Sequence, residues 1–112
     1  VAGSIRLSEL DAEFFVIESP TLFRRVDILT GSNGLMFLCP KCYAEKGDTI
    51  GVHRVICWFV GVDPAIDPKP GRWNPSGTGI DDITFVGPGA ASVLLTAGCR
   101  WHGFIRNGAA TL

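Results

Sequence analysis

The sequence predicts a mostly β domain, an antiparallel sandwich or partly open barrel that ends in a hairpin, and three observations carry that prediction. Apolar residues come in short runs rich in β-branched and aromatic side chains. The chain holds 14 Gly and 7 Pro, spread between those runs, which leaves little room for long helices. Near the carboxyl end an Asn-Gly pair stands between two short extended segments, the strongest local signal for a tight hairpin. At 112 residues a single domain, 1–112, is expected. A domain of this size buries roughly two-thirds of the surface of its extended chain, which gives only a modest core.

The elements follow in order. Ser8 to Ser19 reads two ways: as a short helix capped by Ser8, with Leu10, Phe14 and Ile17 near one face, or as a strand on the apolar run Phe14 to Ile17. Pro20 ends either one. Leu22 to Leu29, Gly34 to Leu38 and Val52 to Val60 read as strands bounded by Gly, Asn, Asp or Pro. In the last of these, alternation puts Val52, Arg54, Ile56, Trp58 and Val60 on one face and His53, Val55, Cys57 and Phe59 on the other. Both faces are partly apolar, as in a central strand. From 61 to 82 the composition turns to Asp-Pro, Lys-Pro-Gly and Asn-Pro-Ser-Gly-Thr-Gly without periodicity, a long surface loop. Ile83 to Val86 and Ser92 to Thr96 supply two further strands around Gly87-Pro-Gly89. Gly103 to Arg106, the turn Asn107-Gly108 and Ala109 to Leu112 close the chain as the hairpin. About seven short strands in one domain imply a sandwich or a partly open barrel.

Charge narrows the function classes. With 10 Lys+Arg against 11 Asp+Glu the formal charge is -1, so no polybasic arm, acidic tail or long-range field steers the chain to nucleic acid or a membrane. No apolar run approaches the roughly 20 residues of a spanning helix. The amino terminus also lacks the basic and apolar segments of a secretion signal. A soluble intracellular protein without a membrane partner is the expectation, and nucleic acid is a poor fit.

The informative residues are the four cysteines and two histidines. Cys39-Pro-Lys-Cys42 follows a strand and Cys99-Arg-Trp-His102 precedes the hairpin. In each pair two intervening residues let one tight turn aim two side chains at one ion. Two such turns complete the tetrahedral shell of a closed zinc site. A disulfide framework is the plainer alternative for four cysteines, but it lacks a secretion signal and leaves the companion histidine without a role. Zinc on Cys39, Cys42, Cys99 and His102 would join the middle of the chain to its end, move the formal charge to about -2, and contribute folding energy of about 10 kcal/mol or more. Cys57 reads as a small buried hydrophobe, and Trp101 as a cover over the metal.

His53, eleven residues beyond Cys42, stays open between a packed core histidine, an alternative fourth ligand in place of His102, and a base beside a zinc-bound water. The last needs an open zinc position and usually a carboxylate, for which Asp81-Asp82 are available. Neither His-Glu-x-x-His nor the deaminase pairing of His-x-Glu with Pro-Cys-x-x-Cys is present. Gly71, Gly77 and Gly79 lack the spacing of a phosphate loop, and no nucleophilic triad can be drawn. Trp58, Trp73 and Trp101 with Arg54, Arg72 and Arg100 offer the chemistry of a stacking platform for single strands. Trp58 reads more simply as core, and Trp73 as an exposed contact or a plug that anchors its loop.

Cys39-Pro-Lys-Cys42, His53 with Trp58-Phe59, Arg72-Trp-Asn-Pro-Ser-Gly77, Asp82-Ile-Thr84, Ser92-Val-Leu-Leu95 and Cys99-Arg-Trp-His-Gly-Phe-Ile-Arg-Asn-Gly108 together resemble a family of small proteins encoded by tailed bacteriophages and prophages. Members are sometimes labelled ammonia monooxygenase, a label that their size and ligands do not support. The resemblance spans roughly residues 36 to 108, and it departs at Cys42-Tyr-Ala, which lacks the glycine common after such a turn. It implies a phage protein in the virion or the host cytoplasm, with other phage or host proteins as partners. Three functions follow as expectations. The first is a structural or accessory protein-interaction module held by structural zinc, with no catalytic residue. The second is a small zinc hydrolase with His53 as proton acceptor. The third is a single-strand nucleic-acid binder using Trp73 beside Arg54, Arg72 or Arg100.

Overall fold

A computed structural model describes residues 3–68, 71–87, 91–95 and 98–112. The chain begins with β1 (Ser4–Arg6), a 3-10 turn (Leu7–Glu9), β2 (Glu13–Ser19), β3 (Leu22–Val26) and β4 (Gly34–Leu38). It continues through α1 (Pro40–Lys46), β5 (Arg54–Trp58), β6 (Asn74–Ser76), β7 (Thr84–Val86) and β8 (Val93–Leu94). The last elements are β9 (His102–Gly103), β10 (Ile105–Arg106) and β11 (Ala109–Thr111). Of the two readings for Ser8 to Ser19 the strand prevails. The 3-10 turn ahead of it has Arg6 rather than Ser8 at its cap position, without a side-chain bond. The run 22–29 is extended only to Val26, and of the run 92–96 only Val93–Leu94 is strand; Thr96 and the Pro-Gly of Gly87-Pro-Gly89 lie outside the described residues.

The largest sheet has the order β3-β2-β4-β5, antiparallel throughout. A second sheet has the order β1-β11-β10, and β6-β7 and β8-β9 form two short ribbons. None of these sheets closes on itself, so the architecture is open and β-rich. The expected hairpin is present: Asn107 (φ 50°) and Gly108 (φ 75°) carry the positive φ of a tight turn, and Arg106 pairs with Ala109. Gly108 is demanded twice, because a Cβ there would also collide with the main chain of Asp81.

One core joins the sheets. Phe14, Leu35, Phe37, Val55, Cys57, Phe59, Ile83, Phe85, Val93, Trp101 and Ile105 are buried together. Cys57 is fully buried among them, as a small hydrophobe would be. β5 is a terminal strand of the main sheet, not a central one. Its outer face reads apolar for another reason: Trp58 is buried there beneath Phe23 (edge-to-face, centroids 5.0 Å apart), and its Nε1 donates to the Asp67 carbonyl at 2.8 Å. The opposing Gly34 has no side chain because the Trp58 ring occupies that space.

The described part of the 61–82 segment is more ordered than a surface loop. Asn74–Ser76 pairs with β7, and Trp73 bridges Phe59 in parallel. Trp73 stacks on Phe85 with centroids 5.7 Å apart and donates Nε1 to the Ser92 carbonyl at 3.1 Å, so it plugs rather than projects. Arg72 turns inward. Its guanidinium donates to the carbonyls of Asp63 (2.7 Å), Gly71 (2.8 Å), Ile66 and Pro68 (both 2.9 Å), with a longer contact to Val62 (3.4 Å). Five fixed N–H groups suit this use, since a carbonyl-rich loop needs several donors from one direction.

Candidate metal centre

The centre forms where β4, α1, the approach to β5 and the approach to β9 meet. Cys39 follows β4 directly and occupies the cap position of α1; Pro40, with its φ preset for a first helical turn, starts the helix at once. The Cys-Pro-Lys-Cys turn is therefore the first turn of a seven-residue helix that stops at Gly47 in the left-handed conformation (φ 76°). The β4–β5 register continues past the named strands, with the Cys39 N–H donating to the His53 carbonyl at 2.9 Å. Cross-strand partners stand side by side, so the register itself brings His53 to Cys39.

Cys99 arrives from the other end of the chain. Gly98 (φ 64°) and Arg100 (φ 56°) both take positive φ and fold the backbone tightly around it. Lys41 Nζ donates to the Cys99 carbonyl at 2.9 Å, tying this turn to α1. The sulfurs of Cys39 and Cys99 accept backbone hydrogen bonds: the Cys42 N–H serves the Cys39 sulfur and the Trp101 N–H serves the Cys99 sulfur. Hydrogen bonds from N–H groups favour the thiolate, the form that binds metal.

The ligand atoms of Cys39, Cys42, His53 and Cys99 all lie within 4.8 Å of one another. Cys39 Sγ and Cys99 Sγ are 3.5 Å apart, and His53 Nε2 is 3.4 Å from Cys99 Sγ. A tetrahedral zinc ion with Zn–S near 2.3 Å and Zn–N near 2.0 Å sets S···S edges of about 3.8 Å and S···N edges of about 3.5 Å. These two edges lie within about 0.3 Å of the tetrahedral values, and the remaining donor atoms fall inside the same 4.8 Å group. No disulfide is formed; all four cysteines are free thiols.

Electrostatics agree with this assignment. Burial pushes the Cys39 thiol up to about 12, and burial with the Cys99 sulfur beside it also raises Cys42. Burial acts upward on Cys99 too, but the hydrogen bonds from His53, the Trp101 N–H and the neighbouring thiols outweigh it and bring Cys99 down to about 7. The group thus favours the thiolate at Cys99, while Cys39 and Cys42 keep their protons until a cation replaces them. Cys57, raised by full burial alone, remains a thiol outside the group.

His102 lies outside this group, and of the two histidines weighed as fourth ligand it is the alternative, His53, that stands beside the three cysteines. After the turn at Arg100 the chain is already extended. Trp101 points into the core, edge-on to Phe37 and with Nε1 on the Thr111 carbonyl at 2.9 Å. Strand alternation then sends His102 outward, where its exposed ring lies over Phe104 with centroids 6.3 Å apart. Trp101 is likewise a core residue rather than a cover, and it serves the site through its N–H. Comparison with family models, with curated proteins and with solved structures yields no match to this chain.

Proposed function

We propose that the chain is a zinc-stabilised interaction domain of a bacteriophage or prophage, a virion component or accessory module that works by holding other phage or host proteins. Zinc is the metal that suits three thiolates and one imidazole in tetrahedral array. The observation that carries this reading is the joining of Cys39, Cys42, His53 and Cys99, from three separated stretches of chain, within 4.8 Å. A shell filled by four protein donors has a structural task, because catalytic zinc keeps a position for water. His53 spent as a ligand is also unavailable as a base, which weighs against the hydrolase alternative. The stacking-platform alternative is weakened, since Arg72 is engaged by carbonyls and Trp73 by Phe85 and Ser92, which leaves Arg54 and Arg100 without the exposed ring it needs. The phage assignment rests on the resemblance across residues 36 to 108.

Metal analysis of protein purified without chelator should return about one zinc per chain. Cobalt in its place should show sulfur-to-cobalt charge-transfer absorption and the strong visible bands of a tetrahedral ion. Protein that folds with no bound metal would sink the zinc reading. Co-purification from infected cells then tests the partner class.

A further inference from the structure

A groove of about 530 Å³ lies between β5 and β8. In the β4–β5 ladder His53 and Phe59 exchange main-chain bonds with the β4 side, and alternation gives Val55 and Cys57 the same direction. Arg54 and Ile56 therefore aim their N–H and C=O groups outward, toward the groove. The Trp73 segment takes the next positions along that edge: Trp73 N–H donates to Trp58 O at 3.1 Å and Val60 N–H to Trp73 O at 2.9 Å. Upstream of Trp73 the chain leaves the edge, because Arg72 gathers the carbonyls of the preceding turn.

β8 repeats the arrangement from the opposite wall. Val93 pairs with Gly103, and Leu95 N–H donates to Trp101 O at 2.9 Å. Leu94 between them turns its main chain away from β9. Among the described residues, no main-chain partner meets the outward groups of Arg54, Ile56 or Leu94. Strand edges of this kind are usually short, charged or covered. Here two of them line one groove whose other walls, Trp73, Val93 and Leu95, are apolar.

We propose that this groove receives an extended segment of a partner protein, added as a strand along the outer edge of β5. The proposal rests on the interaction-domain reading above and names the class of partner. A row of outward N–H and C=O groups at strand spacing matches a peptide main chain, whereas a compact small molecule cannot use it. The apolar walls take alternate side chains of the added strand. Arg54, the charged residue of the lining, selects a carboxylate on the segment. Its guanidinium makes one long hydrogen bond, 3.5 Å to the Asp11 carbonyl, which a carboxylate on the segment would replace. The metal centre sets the groove's width, because Cys99 anchors the turn into β9 and β9 carries β8.

The test is selection of a random heptapeptide display library on the zinc-loaded full chain. Enriched peptides should alternate apolar residues and share one Asp or Glu. A labelled synthetic copy of the winner should bind at least tenfold more weakly to Arg54→Glu, to Ile56→Pro, and when its own backbone amides are N-methylated. Ile56→Pro removes an outward N–H and no bond to β4; should that variant fail to fold, Arg54→Glu and the N-methylated peptide carry the test. No enrichment, or a winner indifferent to both of these, overturns the proposal. So does a dimer in sedimentation that Arg54→Glu dissolves, since a second copy would then be the occupant. Metal content measured on the same samples separates the two readings. Zinc bound without peptide capture removes the groove proposal alone, and peptide capture by a folded, metal-free chain removes the zinc reading alone.

Discussion

Two regions of this domain fasten irregular chain to the sheet, and they do it by opposite means. At the metal centre, four side chains from distant stretches converge and leave the backbone to its own ladders. Elsewhere a single side chain, Arg72, reaches the main-chain carbonyls of Val62, Asp63, Ile66, Pro68 and Gly71. The arginine is charged at any working pH and needs nothing else. The thiols and imidazole form a staple only when a cation replaces their protons. The first fastening is therefore conditional and long-range, the second permanent and local.

That contrast can be broken experimentally, and the largest effect belongs to the metal. Chelation should remove about 10 kcal/mol of metal-linked folding energy, comparable to the whole stability of a domain, and Cys39→Ser or Cys99→Ser a large part of it. Thermal or urea melts with and without chelator should show the cooperative transition lost; an unchanged melt would put the metal centre on a par with the surface. His53→Ala should weaken zinc binding by more than roughly 100-fold, since even partners behind a ligand are worth 10- to 100-fold. His102→Ala should leave affinity within about twofold of the parent, as substitutions away from such features usually do. Competition with a zinc-binding dye distinguishes the two, and equal losses would return His102 to the shell.

Arg72→Met should destabilise by about 1.5–3 kcal/mol, the range for hydrogen bonds to a charged group, while metal content stays the same. Amide exchange should speed up in 62–71 and not around Cys39. The smallest effect is at Asp82, whose carboxylate accepts the N–H groups of Thr78 and Gly79 at 2.8 and 2.9 Å and the Thr78 hydroxyl at 2.9 Å. Those bonds hold its pKa below the ordinary value. A lowered folded pKa means the contribution is complete above the unfolded value near 4 and is lost as pH falls through the folded one. Asp82→Asn should therefore lower the melting temperature slightly at neutral pH and flatten its decline below pH ~4.

Local chemistry was legible and long-range geometry was not, as particular residues make plain. Asn107-Gly108 identifies its hairpin because positive φ is a property of two adjacent residues. Cys39 and Cys42 are recognisable as a pair because their spacing is itself the geometry. The histidine is different. His102 has the better spacing from Cys99 and His53 the right place, since His53 reaches the centre through the β4–β5 register, which joins residues fourteen apart. Trp58 misled in the same way: its burial looks like that of a central strand, but a returning loop covers it. Nothing in the run Arg72-Trp73 announces that the arginine would be wrapped in carbonyls.

From its residues alone this chain is a β-rich domain of short strands with a terminal hairpin, and three of its four cysteines carry the spacing of a metal site. Tertiary structure decided which histidine stands beside them, which strand lies at the edge of the sheet, and that β1 near the amino end pairs with β11 at the other. The physical reason is the range of the forces involved. Turn conformation and ligand spacing are set within a few bonds, whereas register and strand order depend on which distant apolar faces bury one another, and that is settled only when the core closes.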